Sequence, residues 1–149
     1  MSERDVVFTP FMLRVRETIS GTTDEDVTLH YETSRPTSIA VAVDEWFMLR
    51  ARAEHVIAEA NAMLDPGVER IALDDEFGTG RLAFVLRWTN RSYRLLVHED
   101  ARARTGQVEV DGPTRLTDLV KPVDHAFLED LAVALLGPRP ATVEIGGTT

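Results

Sequence analysis

The chain has 149 residues, a net charge of −9 and no cysteine. This length is typical of one domain with its own core, and the lack of cysteine excludes disulfides, thiolate catalysis and cysteine-ligated zinc. The negative charge disfavours nucleic-acid partners, and no apolar run has the length of a membrane-spanning helix or a signal peptide. The composition therefore predicts a cytoplasmic protein with no nucleic-acid or membrane partner.

Short strands are predicted for the first part of the chain. Polar and apolar residues alternate between Val6 and Ile19, which indicates a half-buried strand that Pro10 interrupts early. Alternation resumes from Val27 to Thr33 after a polar turn. The segment from Ile39 to Val43 fits either a short strand or the first turns of the following helix, and its alternation favours the strand.

An amphipathic helix follows, with Asp44 as the predicted N-cap and Pro66-Gly67 as the stop. Arg50–Glu54 and His55–Glu59 have the i,i+4 spacing of ion pairs on its polar side. Apolar residues recur every three or four positions on the other side, as expected of a buried face. They are Trp46, Leu49, Ala53, Val56, Ala60 and Met63, flanked by Phe47, Ile57 and Leu64.

Three antiparallel strands come next, each with an alternating pattern, and a fourth is predicted near Gln107 to Val110. A turn centred on Asn90-Arg91 would place Trp88 opposite Tyr93 and Arg87 opposite Arg94. The predicted core-facing residues are Ile71, Leu73 and Phe77 in the first strand, Leu82, Phe84, Leu86 and Trp88 in the second, and Tyr93, Leu95 and Val97 in the third.

The last helix is predicted from Asp124 to the stop signal Gly137-Pro138. Its second half is apolar on nearly every side, which is typical of a helix buried on several sides. Residues 1–137 are predicted to form a single α+β domain and residues 138–149 a flexible tail, in which Thr142 to Ile145 could add a short edge strand. The predicted fold is a two-layer sandwich: an antiparallel sheet of five to seven strands with two main helices packed on it.

No catalytic residue, cofactor or metal ion is predicted. Gly78-Thr79-Gly80 begins a G-x-G-x-x-A pattern, but a strand follows it instead of the helix that binds a pyrophosphate, so a hairpin turn explains the glycines. Successive residues of Asp74-Asp75-Glu76 point to opposite faces of a strand, so their carboxylates should not converge on a cation. None of the four histidines has metal-site spacing, although distant segments could join two of them, for example His30 with His98.

The outer face of the sheet is the candidate partner-binding surface. In the expected register Arg87 faces Arg94, with Arg91 nearby, and two facing cations need an anion between them. Asp74 could supply that anion within the chain, or a partner carboxylate could supply it. Val85 faces Leu96 in the same register, so a helix of the same chain or another subunit should partly cover this face.

These observations predict a non-catalytic protein-interaction module, such as an adaptor, chaperone or regulator, that forms a homodimer or binds another protein. The alternative is an enzyme or small-ligand binder with a pocket between sheet and helix. Such a pocket would use Trp88, Tyr93 and Tyr31, with His30 or His98 as its polar group. A closed apolar cavity would favour the pocket, whereas a filled core with an exposed apolar patch would favour the interaction module.

Overall fold

In a computed structural model of the chain, the described residues are 7–21, 28–32, 36–76, 81–112, 116–118, 125–137 and 142–146. The Gly78-Thr79-Gly80 turn and Asp124 lie outside these ranges. No helix within them is both long enough and apolar enough to cross a membrane. The elements in chain order are α1 (Pro10–Ser20), β1 (Thr28–Glu32), β2 (Thr37–Ser38), α2 (Ile39–Ala62), β3 (Ala72–Asp75), β4 (Ala83–Trp88), β5 (Arg91–Asp100), β6 (Thr105–Asp111), β7 (Leu116–Asp118), α3 (His125–Leu136) and β8 (Thr142–Gly146).

The predicted α+β sandwich is confirmed. Five strands form an antiparallel sheet in the order β2-β6-β5-β4-β3, and α2 and α3 both contact this sheet. The buried residues of β4, β5 and β6 share one core with those of α2. Trp46 of α2 links the two layers, because its Nε1 donates a hydrogen bond to the Leu95 carbonyl of β5 at 3.0 Å.

Residues 10–20 form a helix, so the strand predicted between Val6 and Ile19 is wrong. Thr9 is the N-cap, and its side chain accepts a hydrogen bond from the Met12 amide at 3.1 Å. Phe11, Val15 and Thr18 are buried at spacings of four and three residues, which is helical periodicity. A capped start and one continuous buried face stabilise the helix, although the same segment also alternates polar and apolar residues.

The segment from Ile39 to Val43 is helical as well, so the favoured strand is wrong and its helical alternative is right. Ser38 is the N-cap of α2, and its Oγ accepts a hydrogen bond from the Val41 amide at 3.3 Å. Asp44 therefore lies inside the helix and is not its N-cap. Phe47, expected beside the buried stripe, is 53% exposed.

The hairpin between β4 and β5 has a tighter turn than predicted. Only Thr89 and Asn90 separate the strands, and Trp88 pairs with Arg91. The register is therefore shifted by two residues, so Arg87 faces Ser92 and not Arg94. A shift of two preserves which face each side chain occupies, so the predicted core face is right while the predicted partners across it are wrong.

A second sheet contains β1, β8 and β7 in that order, and both pairs are parallel. Parallel neighbours need a crossover connection, and α3 lies between β7 and β8 in the chain. Residues 142–146, expected in a flexible tail or as an edge strand, form the middle strand of this sheet. Helix α3 contacts β1, α1, α2, β4 and β5, so its apolar surface is covered within the chain.

Candidate functional site

One recess lies between α2 and the β3–β4 side of the antiparallel sheet, and we call it the edge groove. It has a volume of about 470 Å³ and is open to solvent. Its walls are mainly apolar, and charged groups line it from both the helix and the strands. The lining residues are Trp46, Phe47, Arg50, Ala51 and Glu54 from α2, and Asp75, Glu76, Leu82 and Ala83 from the strands.

An ion pair between α2 and β3 forms the base of the edge groove. The Arg50 guanidinium donates two hydrogen bonds to the Asp75 carboxylate, at 2.7 and 2.8 Å. It also lies 2.8 Å from a Glu54 oxygen. Hydrogen bonding from Arg50 lowers the pKa of Asp75 and outweighs the opposing effect of burial. The same bonds raise the pKa of Arg50, so both groups stay charged at neutral pH and hold the groove in shape.

Asp74, Asp75 and Glu76 do not converge, as their alternation predicts. Glu76 accepts two hydrogen bonds from Arg94, at 2.8 and 2.7 Å, and Asp74 forms an ion pair with Arg87. Hydrogen bonding to Glu76 raises the pKa of Arg94. The anions that the outer-face arginines need are therefore present within the chain.

The five residues predicted to bind a partner do not form one accessible patch. Arg91 belongs to the core-facing side of β5 and donates hydrogen bonds to the Ala134 carbonyl at 3.3 Å, the Leu135 carbonyl at 3.4 Å and the Gly137 carbonyl. Leu96 is on the outer face but only 2% exposed. Val85 is half-buried and faces Arg94, not Leu96.

Strand β3 lies at one edge of the antiparallel sheet and, among the described residues, pairs only with β4. The Glu76 amide donates a hydrogen bond to the Ala83 carbonyl at 3.0 Å. Because hydrogen-bonded and non-hydrogen-bonded pairs alternate along an antiparallel ladder, Asp74 also bonds to β4 through its backbone. The backbone N–H and C=O groups of Leu73 and Asp75 therefore point away from β4, toward the free edge.

A second recess of about 440 Å³ lies among the three helices and is lined by both polar and apolar residues. The rings of His55 on α2 and His125 on α3 face each other with centroids 6.3 Å apart. Each lies near the glutamate four residues later, at 3.3 Å for Glu59 and 3.9 Å for Glu129. No group of three or more His, Asp or Glu side chains among the described residues is arranged to hold a metal ion.

The sequence contains part of the signal for this second recess. The spacing H-x-x-x-E places a histidine and a glutamate on one side of a helix, and it predicted the His55–Glu59 pair, whereas His125–Glu129 was not singled out. The two histidines proposed to meet from distant segments were His30 and His98. His98 lies exposed on the outer sheet face, and the side chains of His30 and Tyr31 are outside what the structure describes.

The residues named for a sheet–helix pocket are placed differently from that expectation. Tyr93 is 2% exposed and belongs to the packed core. Trp88 packs at the margin of the core, and its Nε1 donates to the Glu69 carbonyl at 2.9 Å. The recess between helix and sheet that the structure describes is the edge groove, which neither of these residues lines.

No family model, curated protein or solved structure matches the chain.

Proposed function

We propose that the chain is a protein-interaction module that binds a partner protein in the edge groove. The observation that carries this proposal is the exposure of Phe47, 53% accessible at the margin of an open recess with largely apolar walls. Burying an aromatic side chain of this kind is a common source of binding energy at interfaces. Such a surface is unfavourable in water unless another molecule covers it.

Ion pairs hold the charged side chains of the edge groove in place before a partner binds. Arg50 is held by Asp75 and Glu54, so it needs little rearrangement when a partner arrives. Binding to a preorganised surface loses less conformational entropy than binding to a mobile one. The ion pairs therefore support the proposal by fixing the shape of the groove, while the apolar residues supply contact area.

The partner that best fits this surface carries basic side chains beside an apolar one. Three carboxylates and one guanidinium line the groove, through Glu54, Asp75, Glu76 and Arg50. The whole chain has a net charge of −9. Complementary charge accelerates association and disfavours wrong partners.

A pair of neighbouring substitutions tests the proposal. Phe47→Glu places a charge in the groove, whereas Met48→Glu places the same charge on an exposed residue of α2 that does not line it. Proteins that both the wild type and Met48→Glu retain from a host lysate, and that Phe47→Glu loses, would be purified and titrated by calorimetry. We expect at least a tenfold weaker Kd for Phe47→Glu. Equal affinity for all three chains would refute the proposal.

The volume of the edge groove also lies within the range of small-molecule sites, roughly 300–1,000 Å³. This keeps a small-ligand binder as the second candidate function. Its ligand would displace water from Phe47 and Leu82 and stabilise the fold on binding. A thermal-shift screen of small apolar cations separates the two functions. A small-ligand binder should melt at a higher temperature with one of these cations, whereas an interaction module should retain its protein partner without any of them.

A further inference from the structure

We infer that the partner binds as an extended strand added alongside β3, with a large apolar side chain in the edge groove and a lysine or arginine next to it. This inference rests on the proposed function and goes further by giving the chemistry and the binding mode of the partner. It combines three features of the described residues: the free edge of β3, the groove beside that edge, and the charge of both.

The backbone of β3 provides the first part of the argument. Leu73 and Asp75 direct their N–H and C=O groups toward the free edge, because the neighbouring positions bond to β4. Leu73 and Asp75, with Asp74 between them, form a short template for another strand. Main-chain hydrogen bonds to a template of this kind supply affinity in strand addition, while side-chain pockets supply specificity.

The side chains next to that edge provide the second part. Leu73 and Asp75 face the helix side of the sheet, where Asp75 meets Arg50 below the groove. Alternate side chains of an added strand would point to the same side. One of them would lie against Phe47 and Ala51, which line the groove. This position requires a large apolar side chain.

The charge along the edge selects the occupant. Asp74, Asp75 and Glu76 are consecutive, and the Glu54 side chain above them is 65% exposed. Arg87, Arg50 and Arg94 pair with these three acids, so the excess negative charge comes from Glu54, which shares Arg50 with Asp75. A second copy of this chain pairing through β3 would bring two such excess charges together, and like charges across a strand pair are destabilising. Charged edge strands resist self-pairing for this reason. A basic strand of another protein meets the same edge favourably.

The test uses a synthetic peptide, acetyl-Lys-Val-Lys-Phe-Lys-Val-Lys-amide, and two N-methylated forms of it. One form carries methyl groups on the backbone nitrogens of the Lys residues, and the other carries them on the backbone nitrogens of Val and Phe. Only one of these sets of nitrogens can face β3, so one form should lose at least tenfold in affinity and the other should bind nearly as well as the parent. A glutamate-for-lysine peptide of the same pattern should not bind.

Hydrogen exchange measured by NMR locates the strand. On peptide binding, the Leu73 and Asp75 amides should exchange at least tenfold more slowly, while the Asp74 amide, already bonded to β4, should change little. Binding that leaves Leu73 and Asp75 unprotected, equal loss for both methylated forms, or no binding in the millimolar range would each overturn the inference. In these cases the proposed function would stand if a lysate partner still distinguishes Phe47→Glu from Met48→Glu, and would fall with the inference if none does.

Discussion

Trp46 has a larger structural role than the other tryptophan, because it is 4% exposed and contacts both layers of the fold. Its ring packs 5.5 Å from the Phe84 ring, and its Nε1 bonds to the Leu95 carbonyl. We expect Trp46→Ala to lower the free energy of unfolding by about 3–5 kcal/mol, since it leaves a cavity and an unused acceptor. Trp88→Ala, at the margin of the core, should cost less than half as much in the same urea titration. Similar losses would contradict this ranking.

Glu129 makes stability depend on pH in an unusual direction. Burial raises the pKa of Glu129, His125 opposes the shift and nearby Glu59 adds to it. The folded state therefore holds this proton more tightly than the unfolded state, and the ionised carboxylate lowers stability once the pH exceeds the ordinary value of about 4.3. The contribution of the Glu129 carboxyl to the free energy of unfolding falls as the pH rises toward the raised pKa and stays low above it.

Glu129→Gln removes that effect, because the amide stays neutral at every pH. We expect the variant to melt at a higher temperature than the wild type at pH 7, and the difference to disappear below about pH 4, where the wild-type carboxyl is protonated in both states. Glu45→Gln, at an exposed position of α2, is the matched control and should change little. A lower melting temperature for Glu129→Gln at pH 7 would show that the carboxylate stabilises the fold through His125.

At the level of the secondary-structure elements, a side chain from strand β5 caps the C-terminal end of α3. The last carbonyls of a helix lack partners within it and carry a partial negative charge. Arg91 at the start of β5 donates to two of them, on Ala134 and Leu135, and to the carbonyl of Gly137, the residue after the helix. This contact ties the end of the helix to the hairpin and explains why Arg91 is not part of the outer surface.

Replacing Arg91 therefore tests a contact between elements. We expect Arg91→Ala to lower the free energy of unfolding by about 1–3 kcal/mol, as for hydrogen bonds to a charged group. Arg87→Ala removes an exposed ion pair with Asp74, and such pairs contribute about 0–1 kcal/mol. Urea titrations of both variants give the comparison, and an Arg91 loss no larger than the Arg87 loss would exclude the proposed cap.

The outcome for each element shows what sequence patterns determine. Long amphipathic periodicity predicted most of α2, and alternation identified which faces of β4 and β5 are buried. The structure of short segments depends on features that alternation does not show. In α1, the Thr9 cap and the four-residue spacing of the buried residues Phe11 and Val15 stabilise a helix. A pocket between sheet and helix was the alternative prediction, but its position beside Phe47 and Asp75 was not predicted. That position depends on α2 lying beside the Asp75 end of β3, and tertiary packing alone determines that placement.

For the whole molecule, the homodimer remains a prediction, but its surface changes. The apolar surface of α3 is covered within the chain, and Leu96 is buried within it too. The large apolar side chains that remain exposed in the described part of the chain lie on or just before α1 and in the first half of α2. They are Val7, Phe8, Leu13, Ile19, Val41, Phe47 and Met48. Phe47 lines the edge groove, so we predict that the dimer surface lies at α1, where exposed apolar side chains are typical of an interface.

Light scattering at micromolar concentration tests self-association. We expect a mass about twice the 16.6 kDa of one chain, because a two-fold dimer is the commonest way to cover such a patch. Leu13→Glu should give the mass of one chain with the fold intact. Leu96→Glu should instead unfold the protein, since its side chain is buried. A wild-type mass of one chain would refute the homodimer.

The small parallel sheet has a consequence for the order of folding. Within the described segments, strand β1 pairs only with β8, starting from Thr28 opposite Thr142. Nearly all the other elements lie between these two strands in the chain. Contacts between such distant segments close a long loop, and they form slowly for that reason. During synthesis, β1 leaves the ribosome long before its partner exists. The hairpins of the antiparallel sheet can assemble first, and β1 can join a sheet only after α3 has been made.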